Sequence, residues 1–193
     1  MLDAAVECFW TRGYEATSVR DLAERMGIAG ASLYNTFGDK RTLYLRALDR
    51  YLSQSVRERI ARLEGSLPPY QAIAAFLSEV VERSLSDKRR RGCLLVNCAL
   101  EVAPHDEELG RAVAAELEEI ESFFRRCAIA GQRTGSITSA CSAEDAAKLL
   151  LGVLLGIRVL ARTRPQRKML EGVMRPALAL LGNTEPSTHA ATR

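Results

Sequence analysis

Two groups of residues in this chain have types and spacings that can do chemistry. The first is Gly30, Ala31, Ser32, Tyr34, Asn35 and Thr36, which a helix seated through Ile28, Leu33 and Phe37 would turn outward. These are small or hydrogen-bonding groups. A face of that kind can approach base edges in a major groove and exchange hydrogen bonds with them, whereas a helix packed inside a core would be apolar there. The second group is Cys93 and Cys98, just after the cationic run Lys88-Arg89-Arg90-Arg91. Nearby cations favour the thiolate, so Cys93 could sense oxidants or electrophiles; the alternative is that a Cys within CLLVNCAL is a small packed hydrophobe. Asn97, Glu101 and His105 follow at four-residue steps, either as the polar edge of a ligand pocket or as capping and surface groups near Pro104. With two His in all, His105 and His189, a metal site is poorly supplied. No phosphate-cradling glycine loop, G-x-S-x-G elbow or His-carboxylate spacing of a metal hydrolase occurs, so no enzyme, cofactor or metal is expected.

The elements that must hold the first group are short helices. Val19, Leu22, Ala23 and Met26 fall at i, i+3, i+4 and i+7, Gly27 can take the left-handed conformation that stops a helix, and Ser18 can cap its start with Asp21 as reciprocal partner. Thr17 to Lys40 thus predicts a helix-turn-helix. Ahead of it, a helix over Leu2 to Arg12 ends at Gly13; behind it, Asp39 caps a long fourth helix whose apolar set Leu45, Leu48, Leu52, Val56, Ile60 and Leu63 continues until Gly65 and Pro68-Pro69.

The ordered series GYEATSVRDLAERMGIAGASLYNTFGDKRTLY, Gly13 to Tyr44, closely resembles the DNA-binding domain of TetR/AcrR-type bacterial repressors. The likeness lies in the aromatic after Gly13, the Thr-Ser before the second helix, the Leu-Tyr-x-x-Phe of the recognition helix and the following Lys. It implies a three-helix reading head followed by a larger helical domain that dimerises and binds a small effector. Carried over residue by residue, it assigns groove or base-edge contact to Gly30, Ala31, Ser32 and Asn35, and phosphate contact to Thr17, Ser18, Arg20, Tyr34, Thr36 and Lys40. Family members frequently have Ser and Lys where this chain has Ala29 and Gly30, which shifts the expected direct readout toward Ser32, Asn35 and the Tyr34 ring.

Composition sets the bounds. A chain of 193 residues with net charge +3 does not coat nucleic acid by bulk charge, so DNA binding must come from shaped contacts and from two heads per dimer. Asp3 and Glu7 make the N-terminal segment a poor signal peptide, and the longest apolar run, Leu149 to Ile157, is too short to span a bilayer. A cytoplasmic protein with no membrane partner is expected. Five cysteines without a C-x-x-C pair argue for reduced thiols.

Further helices are expected around Ile73 to Val81, over Cys93 to Val102, from Leu109 to about Gly131, from Ser142 or Ala143 to Pro165, and through Met169 to Leu181. The last two are apolar enough to predict a dimer surface through Gly152, Gly156, Leu160, Val173, Met174 and Leu178, with intramolecular core as the alternative; the resemblance favours an isologous four-helix bundle. Only Tyr70, Phe76, Phe123 and Phe124 supply aromatics to the sensing region, so a largely aliphatic pocket is expected, drawn from Phe76, Val80, Cys93, Asn97, Cys98, Glu101 and Phe124 and suited to neutral or weakly polar molecules.

The expected fold is thus all-α: a helix-turn-helix domain over 1–46, an effector-binding and dimerisation domain over 47–181, and a disordered tail over 182–193. The expected function is a TetR-type one-component regulator, a repressor that leaves double-stranded operator DNA when an effector binds. The alternatives are a helical ligand-binding or dimeric interaction protein with weakened DNA binding, and a thiol-based redox-sensing regulator.

Overall fold

A computed structural model describes residues 1–182, and among them every regular element is helical, apart from one bridge between Ile137 and Gly182. Helices α1 (Leu2–Arg12), α2 (Val19–Met26) and α3 (Gly30–Phe37) form the head. Ala5 and Phe9 of α1 are fully buried, Phe9 edge-on to Tyr44 of α4 (Lys40–Leu52) with ring centroids 4.8 Å apart. Burying a side chain of this size contributes about 1.5–3 kcal/mol, and it makes α4 a wall of the head as well as its exit.

The single long helix expected from Asp39 to Gly65 is instead three pieces: α4, a π-helical turn at Ser53–Arg57, and α5 (Glu58–Leu63). Its apolar periodicity is continuous, which is why the sequence does not betray the break. The turn widens where the Ser55 hydroxyl donates to the Tyr51 carbonyl at 2.6 Å, a side-chain bond that competes with the regular ladder, and Arg57 beside it pairs with exposed Asp49 and buried Glu116.

The body is built from α6 (Pro69–Ser86), α7 (Leu94–Glu101), a short 3-10 turn at Ala103–His105, α8 (Glu107–Thr134), α9 (Ala143–Thr163) and α10 (Arg167–Leu181). At its centre Phe76, Phe123 and Phe124 stack on one another with centroids 5.3–5.4 Å apart. Gly131 is required at the α8–α9 corner: a Cβ there would sit 2.5 Å from the Ile137 side chain. Of the tail expected from Gly182, that glycine is tied down, since Thr138 N–H donates to the Leu181 carbonyl beside the Ile137–Gly182 bridge; residues 183–193 lie outside the described residues.

Ion pairs, a backbone bond and the Arg91 guanidinium over the Trp10 ring are among the contacts between head and body. Arg41 at the start of α4 grips Asp106 (Nε to Oδ2, 2.5 Å) and Glu108 (2.7 Å) at the start of α8, and Arg91 pairs with Glu7 of α1. The Glu101 carboxylate accepts the Glu15 N–H at 3.0 Å and lies so close to Gly13 that any side chain at Gly13 would displace it.

Candidate functional site

The turn between α2 and α3 follows from local chemistry. Ser18 and Asp21 close a reciprocal capping box: Asp21 N–H donates to Ser18 Oγ at 3.1 Å, and Ser18 N–H to Asp21 Oδ2 at 3.0 Å. Hydrogen bonds from the Ser18 hydroxyl and amide, then from Arg12, hold the Asp21 carboxyl down to about 2. Gly27 is left-handed (φ +69°) and ends α2, and buried Leu33 and Phe37 clamp α3 onto the head. The consequence is an outward face: Ala31, Ser32, Asn35 and Thr36 are exposed, and Tyr34 is 52% exposed, unusual for so large a ring. Ala29 gives α3 no side-chain cap, which leaves the first amides of that helix open to an anion such as a phosphate. Nothing lies within 4 Å of where a Gly30 Cβ would be, so the helix can approach a surface closely at that point.

Of the residues assigned to phosphate, Ser18, Arg20, Tyr34 and Thr36 are exposed beside this face. Lys40 stands at its edge, its ammonium 4.3 Å from the Tyr14 ring centroid and 3.5 Å from the Glu15 carbonyl. Thr17 is a correction. It is fully buried and its hydroxyl donates to the Gly13 carbonyl at 2.6 Å, so it braces the α1–α2 corner and cannot offer that hydroxyl to DNA.

The residues assigned to an effector pocket separate. Phe76, Val80 and Cys93 line one crevice together with Val56, Leu154 and the buried Arg59 and Arg158. Its free volume is about 20 Å³, roughly enough for one water. Asn97, Cys98, Glu101 and Phe124 take other places. Asn97 donates to the Arg91 carbonyl and accepts from Arg162, Glu101 serves the head as described, and Phe124 belongs to the ring stack. Cys98 is buried, which pushes its thiol up, away from reactive thiolate. Cys93 is 6% exposed and its sulfur accepts a hydrogen bond from the Tyr51 hydroxyl at 3.6 Å, while Lys88, Arg89 and Arg90 face solvent and Arg91 is committed to Glu7 and Asp87. The cationic run that motivated a thiol switch therefore spends its charge elsewhere. His105 lies on the 3-10 turn beyond α7, so the polar face expected from Asn97 to His105 is not one continuous helix.

The crevice has a larger neighbour, an open groove of about 770 Å³ between α4 and α8. Most of its charges are matched, Arg50 with Asp3, Arg57 with Asp49 and Glu116, Glu108 with Arg41 and Glu119 with Arg126, while Arg46 lies over the Phe37 ring.

On the outer side of α9 and α10, Gly152 is exposed, Gly156, Leu160 and Val173 are half-buried, and Leu149, Val159 and Leu180 are exposed large hydrophobics. Met174 and Leu178 are corrections to the expected dimer surface. Both are buried within the chain: Met174 Sδ accepts from Ser78 at 3.8 Å, and the Leu178 carbonyl accepts from the Tyr70 hydroxyl at 3.3 Å, so the 3.6-residue period turns this stripe of α10 inward.

Comparison with known proteins agrees with this architecture. The family of bacterial regulatory proteins, tetR family, matches residues 1–47, and the tetracyclin repressor-like C-terminal domain matches residues 69–177. The chain belongs to the TetR family. Among its relatives, YezE of Bacillus subtilis (strain 168), an uncharacterized HTH-type transcriptional regulator, is 37% identical over a stretch spanning 64% of this chain and 64% of YezE's own length. The repressor ComR of Escherichia coli (strain K12) is 27% identical over 83% of this chain and 77% of its own. Among solved structures, a cysteine mutant of the TetR family regulator CifR, complexed with 26-bp operator DNA, is 37% identical, covers 92% of this chain and 93% of its own, and superposes with a TM-score of 0.81.

Within this member of the family, sequence reading passed over Arg59 and Arg158. Both sit in otherwise apolar helical patterns, where a long cation reads as a solvated position. The one available signal is their spacing: Arg59 is flanked by Val56 and Ile60, and Arg158 follows Ile157, on the stripes that face the core.

Proposed function

We propose that this chain is an operator-binding transcriptional repressor that acts as a homodimer and is released by a small effector. One observation carries the reading: α3 is anchored by buried Leu33 and Phe37, yet presents an exposed face of small and hydrogen-bonding side chains with uncapped amides at its start. Ser32 and Asn35 are the base-edge readers; Ser18, Arg20, Tyr34, Thr36, Lys40 and the first amides of α3 fix the register on the phosphates. Two heads are joined through the outer surfaces of α9 and α10, where Leu149, Gly152, Gly156, Val159 and Leu180 form the apolar, close-approach part of an isologous interface. The TetR-type relatives that bind operator DNA support this assignment.

Release follows from linkage. The effector site lies where α5, α6, α7 and α9 converge, and α5 continues through the π turn into α4, which walls the head. An effector shifts the head spacing only by its difference in affinity between the two spacings. The test is selection of genomic fragments by purified protein, followed by shift assays over a salt series and light scattering. A linear fall of log affinity with log salt, a general loss of affinity in Tyr34→Ala, and twice the 21.2 kDa chain mass are expected. Failure to enrich any fragment would leave the interaction-protein alternative; a single-chain mass at micromolar concentration overturns the dimer.

A further inference from the structure

The sensor crevice is apolar except for its cations, and those cations outnumber their acid. Arg158 on α9 is 5% exposed, and no carboxylate lies within ion-pair distance of it among the described residues. Among the described residues its guanidinium makes one hydrogen bond, from Nη1 to Ser84 Oγ at 3.2 Å, and Ser84 is itself bonded to the Val80 carbonyl. A guanidinium carries five N–H donors, so most of the fork has no partner among the described residues, and Arg158 lines the crevice. Arg59, also on the lining and 7% exposed, bonds Glu79 at 3.1 Å, but Glu79 is shared with Arg62. Burial first, and then the charge of Arg158, pull the Arg59 guanidinium below its ordinary value. Close by, the Tyr51 hydroxyl is kept neutral by burial and donates only to the weak sulfur acceptor of Cys93, so it can turn to a better acceptor.

A buried, unpaired cation is costly, and an anion that enters beside it restores the missing partner. The planar fork of an arginine matches a carboxylate in two-point geometry, and the rest of the lining, Val56, Phe76, Val80, Ile120 and Leu154, matches an apolar body. We infer that the effector is an organic monocarboxylate with an apolar body, its carboxylate held by Arg158 with Arg59 and the Tyr51 hydroxyl alongside. This rests on the regulator reading and replaces the neutral ligand expected from composition. The crevice is nearly closed, so such a ligand must part α9 from the π turn and α5, which carry Val56 and Arg59 and lead directly into α4.

The experiment titrates the full chain, by calorimetry and thermal melting at neutral pH, with octanoate and phenylacetate and with their neutral counterparts 1-octanol and phenylacetamide. At least one acid should bind ten times or more tighter than its neutral counterpart and raise the melting temperature. Arg158→Met should lose at least tenfold of that affinity, leave the neutral compounds unchanged, and melt, without ligand, no lower than wild type, because the unpaired charge is gone. Equal affinity for acids and neutral counterparts, undiminished acid binding by Arg158→Met, or no binding of either acid at millimolar concentration overturns the inference. If Arg158→Met does not fold, the ratio of acid to neutral affinity in wild type decides alone. Operator shift assays on the same preparation separate the two claims: absent DNA binding with intact acid binding defeats the regulator reading, and the converse defeats only the carboxylate.

Discussion

In the head, the polar side chains that shape the turns around the recognition helix find partners within three or four residues of themselves. Ser18 closes on Asp21, Asp39 on the amide of Thr42, and Thr17 on the Gly13 carbonyl. In the body, the arginines around the helix junctions reach far along the chain, Arg57 to Glu116, Arg59 to Glu79 and Arg126 to Glu64, and Arg158 has no carboxylate among the described residues. Local closure lets the head be a rigid unit with its outward face left free for a second macromolecule. Distant closure makes the body a set of helices whose charges hold one another in place, so that inserting a charged ligand can rearrange them. Rigidity suits reading and adjustable pairing suits sensing.

The contrast breaks most visibly at the body's ring stack. Phe123 is fully buried there, and Phe123→Ala should lower unfolding stability by about 3–5 kcal/mol through lost transfer energy and the cavity left behind. Urea unfolding measures it, and a loss below about 1 kcal/mol would mean that the stack is not the body's core. Operator preference of the folded fraction should not change.

Asn35→Ala is the opposite case. Asn35 is exposed, so stability should stay within about 0.5 kcal/mol of wild type, while operator binding weakens by about 1–3 kcal/mol, mainly at one base pair. An unchanged preference in a binding-site selection would remove Asn35 from direct readout.

Thr17→Val sharpens the boundary between structure and recognition. Loss of the 2.6 Å bond to Gly13 should cost about 0.5–1.5 kcal/mol of stability. Binding of the folded protein to DNA should be unaffected. A fall in affinity matching that of Tyr34→Ala would return Thr17 to the phosphate contacts.

The smallest effect is acid sensitivity of the α2 cap. The Ser18 hydroxyl and amide, then Arg12, hold Asp21 at about 2 against an ordinary 3.8, so the folded head resists its protonation. The stability this contributes is complete above about pH 4 and is lost as pH falls toward 2. Thermal melts across that window should show a shallower acid decline in Asp21→Asn; identical slopes would assign the decline to other carboxylates such as Asp106, held low by Arg41.

Most of the helices were legible because each depends on a period and a punctuating residue. Gly13, Gly27, Asp39 and Ser142 mark ends or starts where the structure has them. The exceptions share a cause. The π turn at Ser53–Arg57 leaves the apolar period intact, Met174 and Leu178 look as apolar facing inward as facing a partner, and Thr17 is as polar buried as exposed. In each case the residue type is the same under both readings and only its neighbours differ.

What the amino-acid order determined by itself was the reading head and its outward face, since capping, turn conformation and amphipathic spacing act over a few residues and need no distant contact. The crevice was decided by tertiary packing. Arg59 and Arg158 are 99 positions apart, and only the convergence of α5, α6 and α9 buries both beside Val80 and Cys93 while providing a carboxylate to one of them. Whether a charged side chain is solvated, paired or left waiting for a ligand depends on which distant groups share its dielectric surroundings, and no spacing along the chain encodes that.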